Sequence, residues 1–280
     1  GGWGGDICAM TGETEWEAQP SRGEYYLLDK SSGSLVSHVI FQCPNKLGKG
    51  VLVSPTVHGN LIVGPNAVDV DAPDRRENTL AGMDFVAETS RRSVPSIDFR
   101  QSIRNFAGVR ANTSESDFII RPAKNMPRLL HIAGIKSPGL SAAPAIAEYA
   151  AGLLEDMGIV LEKKDEWNGR REQIRFKQLS DEEKAALIAK DPRYGRIICR
   201  CETITEGEIV AAIHSPMTPC SLDGIKRRAG SGMGRCQGGF CGPRVLDILA
   251  RELGCSPLDI QQDGDGTFIL IGTTKGGTLA

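Results

Sequence analysis

The sequence lacks the features that mark membrane-spanning chains, nucleic-acid-binding proteins and disulfide scaffolds. No apolar run approaches the ~20 residues that a membrane span needs. Lys and Arg total 33 against 35 Asp and Glu, for a formal charge of -2, so there is no general basic field for nucleic acid. Eight cysteines in 280 residues is far below the density of a disulfide scaffold. Because nothing at the N-terminus resembles a signal peptide, we expect a reducing, cytoplasmic location.

What the sequence does contain is a set of four cysteines in two close pairs. Cys199 and Cys201 form a C-x-C pair; after 34 residues, Cys236 and Cys241 form a second pair inside a glycine-rich stretch, 230–242. Thiolates are the ligands that soft metals and iron–sulfur clusters select. Glycines let the backbone approach an inorganic sulfide closely and direct N–H groups at it. These four cysteines are therefore predicted to be metal ligands.

The occupant of this site stays open between a [2Fe-2S] cluster, zinc and no metal. Zinc sites usually use pairs separated by two to four residues, and a C-x-C pair is tight for one tetrahedral ion. A two-iron cluster suits the closer pair better. A disulfide is the weakest interpretation in a reducing compartment. The remaining cysteines lack paired spacing and are predicted to be inert, buried thiols: Cys8, Cys43, Cys220 and Cys255.

The cysteine segment resembles the bacterioferritin-associated-ferredoxin-like [2Fe-2S] domain from about residue 196 to residue 254. The likeness rests on Ile197–Glu202 at its start and on Gly234–Cys236 and Cys241–Pro243 at its end. Capping residues and apolar spacing predict three short helices between and after the pairs. The resemblance implies a domain that relays single electrons.

The pattern of residues 1–158 predicts strands and helices, with Gly, Pro, Asn and Ser between them. We therefore expect an α+β fold: a mostly antiparallel sheet domain with helices, then a small helical [2Fe-2S]-binding domain. The predicted domains are 1–158, a connector at 159–194, the cluster domain at 195–255 and a tail at 256–280 with a strand over 266–272. The predicted strands are 23–28, 34–42, 50–54, 60–63, 98–111, 117–121 and 129–133; the predicted helices are 74–94 and one from near Ser141 with Ile146, Tyr149, Leu153 and Met157 buried.

Residues 1 to about 158 also resemble a known family. The likeness is carried, in the family's order, by Arg22–Tyr26, Gly50–Asn60, Gly64–Ala67, Phe106–Arg110 and Gly134–Ala147. These segments look like the C-terminal half of an FAD-dependent oxidoreductase of the D-amino-acid-oxidase type. The nearest branch is bacterial glycerol-3-phosphate dehydrogenase, with L-2-hydroxyglutarate dehydrogenase close to it. That branch can carry the same [2Fe-2S] domain behind its catalytic part.

The resemblance implies an enzyme that moves a hydride from a small anionic alcohol to FAD. Electrons would then leave through the [2Fe-2S] cluster to an acceptor protein or a quinone-linked subunit. Arg110 is expected to hold the phosphate or carboxylate, with Tyr26 also binding substrate, and His58 is expected to accept the hydroxyl proton. The residues expected to face the flavin are Gly134, Lys136, Ser137, Gly139, Leu140 and Ser141, where Lys136 and a helix N-terminus favour an anion.

Each of these roles has a structural alternative. Lys136 is also compatible with a solvated turn lysine, and His58 with an exposed hairpin turn. Arg110 has two possible carboxylate partners nearby, Glu115 and Asp117. In that case Arg104 or Arg121 would be the anion anchor instead.

One expected motif is missing. Enzymes of this family hold the ADP half of FAD on a G-x-G-x-x-G turn after the first strand, and no such strand–turn–helix occurs in this sequence. The sequence therefore predicts a fragment that binds FAD weakly and is inactive alone. The competing hypotheses are a 2-hydroxy acid dehydrogenase and a non-catalytic iron–sulfur module for electron transfer or docking.

Overall fold

The computed structural model describes residues 1–12, 15–44, 50–169, 173–272 and 274–275. The chain divides into two compact units, Gly1–Trp167 and Asn168–Ala280, and each is described by itself. Within the described residues, no helix combines the length and the apolar character that crossing a membrane requires.

The first unit contains one α-helix before its first strand, one between its fourth and fifth strands and one after its last strand. Its elements are α1 (Gly4–Met10), β1 (Ser21–Leu28), β2 (Leu52–Pro55), β3 (Leu61–Gly64), β4 (Val68–Asp69), α2 (Leu80–Ser93), β5 (Ser102–Arg110), β6 (Ile119–Pro122), β7 (Leu130–Ala133) and α3 (Gly139–Asp156). Short 3-10 helices at Lys30–Leu35 and Phe99–Gln101 complete it.

Strand β1 is the centre of a five-stranded antiparallel sheet. It pairs along its whole length with β5, from Ser21 opposite Arg110 to Leu28 opposite Ser102. Its other edge pairs first with β4 and then with β3, and β3 continues to β2. Strands β6 and β7 form a separate antiparallel pair. The antiparallel α+β architecture expected from the sequence is confirmed.

The main core of the first unit lies between this sheet and α2. Its fully buried side chains include Leu28, Val53, Leu61, Val63 and Val86. Removing each such side chain from water stabilises the fold by about 1.5–3 kcal/mol. Helix α2 begins at Leu80, not at Asp74, because the Thr79 side chain caps it by accepting from the Gly82 N–H at 3.1 Å.

Two expectations for the first unit are wrong. Most of the strand predicted over 34–42 is absent: a 3-10 helix covers Lys30–Leu35, and a single bridge joins Ile40 to Val53. The stripe predicted to be buried on α3 is not buried: Ile146, Leu153 and Met157 are half-buried, and Tyr149 is 57% exposed. Apolar spacing predicts which side chains share one face of a helix, but it does not show whether another part of the protein covers that face.

The second unit is small and mostly helical. Its elements are α4 (Asp181–Lys190), β8 (Ile197–Cys199), β9 (Ile204–Thr205), α5 (Glu206–Ile213), α6 (Leu222–Ala229) and α7 (Gly242–Leu253), with 3-10 helices at Phe176–Gln178, Pro192–Gly195 and Pro257–Asp259. Helices α5, α6 and α7 surround a core that contains Ile209, Ile225 and Leu249. Over the predicted tail strand, the described residues show one bridge, between Gln261 and Phe268.

Part of the predicted connector packs on this second unit. Phe176 is buried, and its N–H donates to the Glu208 carboxylate at 3.2 Å. Tyr194 is also buried and lies against Gly207, where a Cβ would approach the ring to 2.6 Å. These contacts fix the start of α5 and, with it, the short β8–β9 hairpin that carries the first cysteine pair.

Candidate functional site

The four predicted cysteines meet in one pocket of the second unit. The pocket has a volume of about 430 Å³ and is lined by Ile198, Cys199, Arg200, Cys201, Cys236, Phe240, Cys241 and Arg244. Cys199 ends β8, and Cys241 immediately precedes α7. The hairpin and the helix therefore bring together thiols that are far apart in the sequence.

The thiols are grouped as two pairs, each taking one cysteine from each motif. The Sγ atoms of Cys201 and Cys236 lie 3.8 Å apart. The thiols of Cys199 and Cys241 are close enough that each has the largest effect on the pKa of the other. Two thiolates on one tetrahedral ion with bonds near 2.3 Å are about 3.8 Å apart, so the separation of Cys201 and Cys236 matches one edge of a tetrahedral site. Cys199 and Cys241 are buried, whereas Cys201 is exposed and Cys236 is half-buried.

Backbone amides point at these sulfur atoms. The Cys241 thiol, followed by the N–H groups of Gly232, Glu202 and Cys201, lowers the pKa of Cys199 to about 5, in spite of burial. The N–H groups of Phe240 and Gly238 lower the pKa of Cys236. Hydrogen bonds to a thiolate stabilise its charged form, and the same amides suit the sulfur atoms of an anionic cluster.

The two other thiols hold their protons more tightly. Hydrogen bonding to Cys199, together with burial, raises the pKa of Cys241. The Cys236 N–H lowers the pKa of Cys201, but desolvation and the Cys236 thiol outweigh it and raise that pKa. Four thiols this close cannot all ionise without a cation to neutralise them, because each thiolate disfavours the next.

The second cysteine loop depends on two residues, one shortly before Cys236 and one directly after it. A Cβ at Gly234 would lie 2.2 Å from the Cβ of Cys201, so only glycine fits there. Gln237 has a φ of 48° and anchors the loop, since its Nε2 donates to the carbonyls of Met233 (3.1 Å) and Gly234 (3.0 Å). Its Oε1 accepts from Lys226 at 3.2 Å. The sequence indicated a glycine-rich loop but did not reveal the role of Gln237.

The donor set fits a cluster with four thiolate ligands. The pocket supplies four sulfur ligands, amides directed at them and a glycine where a side chain would collide with a ligand. In the described residues, no group of three or more His, Cys, Asp or Glu side chains is arranged to hold one metal ion. Of the other cysteines, Cys8 is buried as expected, but Cys43 and Cys220 are exposed.

In the first unit, Arg110 is the predicted site residue with unused hydrogen-bonding capacity. It ends β5, and its guanidinium lies over Gly23 of β1, where a Cβ would approach Nη2 to 2.6 Å. Nη2 donates to the carbonyl of Asn66 at 3.1 Å. Nη1 is buried and has no hydrogen-bond partner among the described residues. A buried donor without a partner is costly, so this atom is suited to bind an anion.

The predicted flavin-facing turn packs against the segment that follows β5. Gly134 has a φ of 65°, which favours glycine, and a Cβ there would lie 3.3 Å from the side chain of Thr113, three residues after Arg110. Three residues span at most about 11 Å. The turn then closes through the Gly139 N–H, which donates to the Lys136 carbonyl at 2.6 Å.

The tip of this turn faces outward. Ser137 is exposed, Leu140 is 94% exposed, and Ser141 donates to the carbonyl of Pro138 at 3.0 Å. Helix α3 begins here, so its first N–H groups and the positive end of its dipole are directed toward the turn.

Tyr26 and His58 do not join Arg110. Tyr26 lies on the opposite face of β1 from Gly23 and packs against Phe99, with ring centroids 4.6 Å apart. His58 is exposed in the β2–β3 turn, beyond the Leu28 end of β1, whereas Arg110 pairs with Ser21 at the other end. At about 3.3 Å per residue, these ends are roughly 23 Å apart. Tyr25, by contrast, shares the face of Gly23 and stacks on Phe106 at 5.0 Å.

Arg121 is already paired with carboxylates. Its Nη2 lies 2.7 Å from Glu115 and 3.1 Å from Glu15, and these contacts raise its pKa. Arg104 is exposed on β5. Of the three arginines considered as anion anchors, Arg110 is therefore the one with a buried nitrogen atom left without a partner.

Comparison with protein families gives two matches that together cover most of the chain. Residues 1–153 match the family of FAD dependent oxidoreductases. Residues 197–251 match the BFD-like [2Fe-2S] binding domain. The two descriptions agree with both expected cofactors, FAD and a [2Fe-2S] cluster.

Individual relatives agree with this assignment. A glycerol 3-phosphate dehydrogenase of Caloramator mitchellensis is 52% identical over 270 residues, which cover 96% of this chain and 56% of the relative. A glycerol 3-phosphate oxidase of Mycoplasma genitalium is 38% identical over 58% of this chain and 42% of its own length. The chain thus spans about half the length of these curated relatives.

A solved structure matches the first part of the fold. Dithionite-reduced L-alpha-glycerophosphate oxidase of Mycoplasma pneumoniae with FAD bound superimposes with a TM-score of 0.54 at 33% identity. The match covers 61% of this chain and 44% of that chain.

Proposed function

Because the chain belongs to the family of FAD-dependent oxidoreductases and carries a BFD-like [2Fe-2S] binding domain, we propose that it serves glycerol 3-phosphate oxidation. It would supply the substrate-binding side of the flavin site and the cluster through which electrons leave. The names of the two relatives above support this substrate.

The observation that carries the proposal is the buried Nη1 of Arg110, which has no hydrogen-bond partner among the described residues. Arg110 would hold the substrate phosphate, because a guanidinium matches a phosphate through paired N–H donors. Tyr25 and Phe106 would form the wall of the substrate pocket on the same face of the sheet. Tyr26 and His58 are not part of this proposal because of their positions.

FAD, when bound, accepts the hydride from the alcohol carbon. Lys136 and the N-terminus of α3 would hold negative charge at the flavin, and residues Gly134, Ser137, Gly139, Leu140 and Ser141 would shape that contact. Since the sequence has no G-x-G-x-x-G turn, we propose that this chain alone binds FAD weakly and does not turn over. Flavin absorption that survives gel filtration after incubation with FAD would contradict this.

A binding experiment tests the role of Arg110. Calorimetric titration of the FAD-supplemented chain with glycerol 3-phosphate should show binding that Arg110→Gln weakens about tenfold to hundredfold, since a charged hydrogen bond is lost. The matched control is Arg104→Gln, which removes an exposed arginine from the same strand and should leave the affinity unchanged. Tighter binding of a 2-hydroxy acid than of glycerol 3-phosphate would favour the competing substrate.

For the cluster, we propose that Cys201 and Cys236 bind one iron and that Cys199 and Cys241 bind the other. The anaerobically purified chain should contain about two irons with matching sulfide and show the visible absorption of a two-iron cluster. Cys236→Ser should abolish both, whereas Cys220→Ser should leave both intact, because Cys220 does not line the pocket. One zinc per chain in place of iron would overturn the assignment.

The compartment and the electron acceptor are further parts of the proposal. All eight cysteines are free, and an iron–sulfur protein with free thiols suits a reducing compartment such as the cytoplasm. The acceptor would be a protein or a quinone-linked subunit that takes one electron at a time from the cluster.

A further inference from the structure

The cluster pocket has a buried side and an exposed side. Cys199 and Cys241 are 1% and 3% exposed. Cys201 is exposed and Cys236 half-buried, so the iron proposed for this pair lies nearest the surface. Another molecule can therefore approach the cluster most closely at Cys201 and Cys236. Because electron transfer slows steeply with distance, this edge is where an electron would leave.

The rim around this edge carries positive charge. Arg200 and Arg244 line the pocket and are both exposed. In the described part of the chain, Arg200 has neither an ion pair nor a hydrogen bond. Arg244 donates to the carbonyl of Ile197 at 3.3 Å and, among the residues that the structure describes, to no carboxylate. Over the segments 199–202 and 230–244, the charged residues are Arg200, Glu202, Arg235 and Arg244, an excess of positive charge in a chain whose formal charge is -2.

An apolar side chain stands in the same rim. Phe240 lines the pocket and is 86% exposed, one residue before the buried ligand Cys241. Arginine and aromatic side chains are the types that protein interfaces favour at their centres. An exposed phenylalanine beside two arginines without acidic partners is thus the composition of a docking face rather than of an ordinary solvated surface.

We propose that Arg200, Arg244 and Phe240 form the docking face for an acidic electron-carrier protein. This inference rests on the proposed cluster and names the class of its acceptor. Acidic side chains of the carrier pair with the two arginines, and an apolar patch covers Phe240. One electron passes from the reduced cluster through the Cys201–Cys236 edge, so the cluster returns to its oxidised state as the carrier is reduced by one electron.

Opposite charges on two protein oxidants provide the test. The full chain, loaded with its cluster and reduced by dithionite, is mixed by stopped flow with an acidic blue-copper protein or with a basic c-type cytochrome. At low salt the acidic oxidant should react about tenfold to hundredfold faster than at high salt, because complementary charge speeds encounter. The reaction with the basic cytochrome should not accelerate at low salt.

Variants assign the effect to the rim. The double variant Arg200→Gln/Arg244→Gln should slow the low-salt reaction with the acidic oxidant about tenfold. It should not slow the reaction with the basic cytochrome. Phe240→Ala should slow the acidic reaction while keeping its salt dependence. Arg175→Gln, which removes an exposed arginine of the same unit that does not line the pocket, is the matched control and should change neither rate.

A redox titration followed by electron paramagnetic resonance separates docking from tuning of the cluster. Loss of two positive charges favours the oxidised cluster, which would make it a stronger reductant and speed both reactions. Equal slowing of both oxidants, or faster reaction with both, would overturn the docking face while leaving the cluster in place. A chain that contains no iron after reconstitution would overturn the proposed cluster, and the docking face with it.

Discussion

At the scale of single residues, the cluster loop depends on a position where no side chain fits. Gly234→Ala would place a Cβ 2.2 Å from the Cβ of Cys201 and 3.3 Å from its Sγ. The new methyl group must push the Cys201 ligand away from Cys236. We expect the iron content to fall to less than about half of the wild-type value. Iron analysis and visible absorption of the purified variant measure this.

Gly242→Ala is the matched control. No heavy atom lies within 4 Å of a Cβ at Gly242, which opens α7 directly after Cys241. Alanine also has a higher helix propensity than glycine, so this variant should retain its iron. Equal iron content in both variants would show that the loop adapts to a side chain at position 234.

The second prediction at this scale concerns the buried carboxylate of Glu24. Its side chain is fully buried and accepts from the Asn66 amide at 2.6 Å and from the N–H and hydroxyl of Thr79 at 2.5 and 3.0 Å. Glu24→Gln replaces one carboxylate oxygen, which accepts hydrogen bonds, by an amide NH2 group, which donates them. This group would face the donors of Asn66 or Thr79. We expect the free energy of unfolding to fall by about 3 kcal/mol.

Urea unfolding followed by tryptophan fluorescence measures this loss. Trp16 is 5% exposed and reports on the first unit, whereas Trp3 and Trp167 are 55% and 78% exposed and change little. The control is Glu88→Gln on the exposed face of α2, which should change stability by no more than about 0.5 kcal/mol. A loss of the same size in both variants would mean that the buried network contributes nothing specific.

At the scale of elements, Arg121 of β6 joins the segment before β1 to the loop before β6. Desolvation raises the pKa of Glu15, but Arg121 and Lys124 outweigh it and hold that pKa below its usual 4.5. The hydrogen bond from Arg121 also lowers the pKa of Glu115. Both carboxylates are therefore more acidic in the folded state than in the unfolded state.

The sign of the pH dependence follows from these lowered pKa values. The stabilisation is fully present above the unfolded pKa of 4.5 and is lost as the pH falls through the lower folded values. We expect the urea midpoint of the Trp16 transition to fall between about pH 5 and pH 3 and Arg121→Gln to flatten this fall. Arg92→Gln, which removes an exposed arginine of α2, provides the control and should leave the slope unchanged.

Elements also show how far the sequence alone determines the site. The meeting of the four cysteines in one pocket was predictable, because paired cysteines in a glycine-rich stretch have few other uses. The roles of Arg110 and of the turn at Gly134 come from the family's motif order and stay predictions. The positions of Tyr26 and His58 could not be predicted. The position of Tyr26 depends on which face of β1 its side chain occupies, and that of His58 depends on which end of the sheet the β2–β3 turn reaches. Both follow from strand register, which one sequence does not specify.

At the scale of the whole molecule, the eight free cysteines differ enough in exposure to be told apart chemically. Cys43, Cys201 and Cys220 are exposed, whereas Cys8 is buried. A thiolate bound to iron is not available as a nucleophile. In the cluster-loaded chain, iodoacetamide should therefore label Cys43 and Cys220 quickly, while labelling of Cys201 rises at least about tenfold after the cluster is removed. Mass spectrometry of the digested chain reads each site.

Cys220 and Cys8 supply the internal controls for this experiment. Labelling of Cys220 should be the same with and without the cluster, since it lies outside the pocket. Labelling of Cys8 should stay low in both states and rise only on unfolding of the first unit. Fast labelling of Cys201 in the loaded chain would be incompatible with its role as a ligand.

Gly23 sets the position of the arginine that lies across it. A methyl group there would meet Nη2 of Arg110 at 2.6 Å and the Cβ of Pro65 at 2.8 Å. An alanine at position 23 would leave the arginine in the sequence and still lift its charged head out of place. The proposed anion contact can therefore be lost without any change at Arg110 itself, so the identity of position 23 has to be read together with that of position 110.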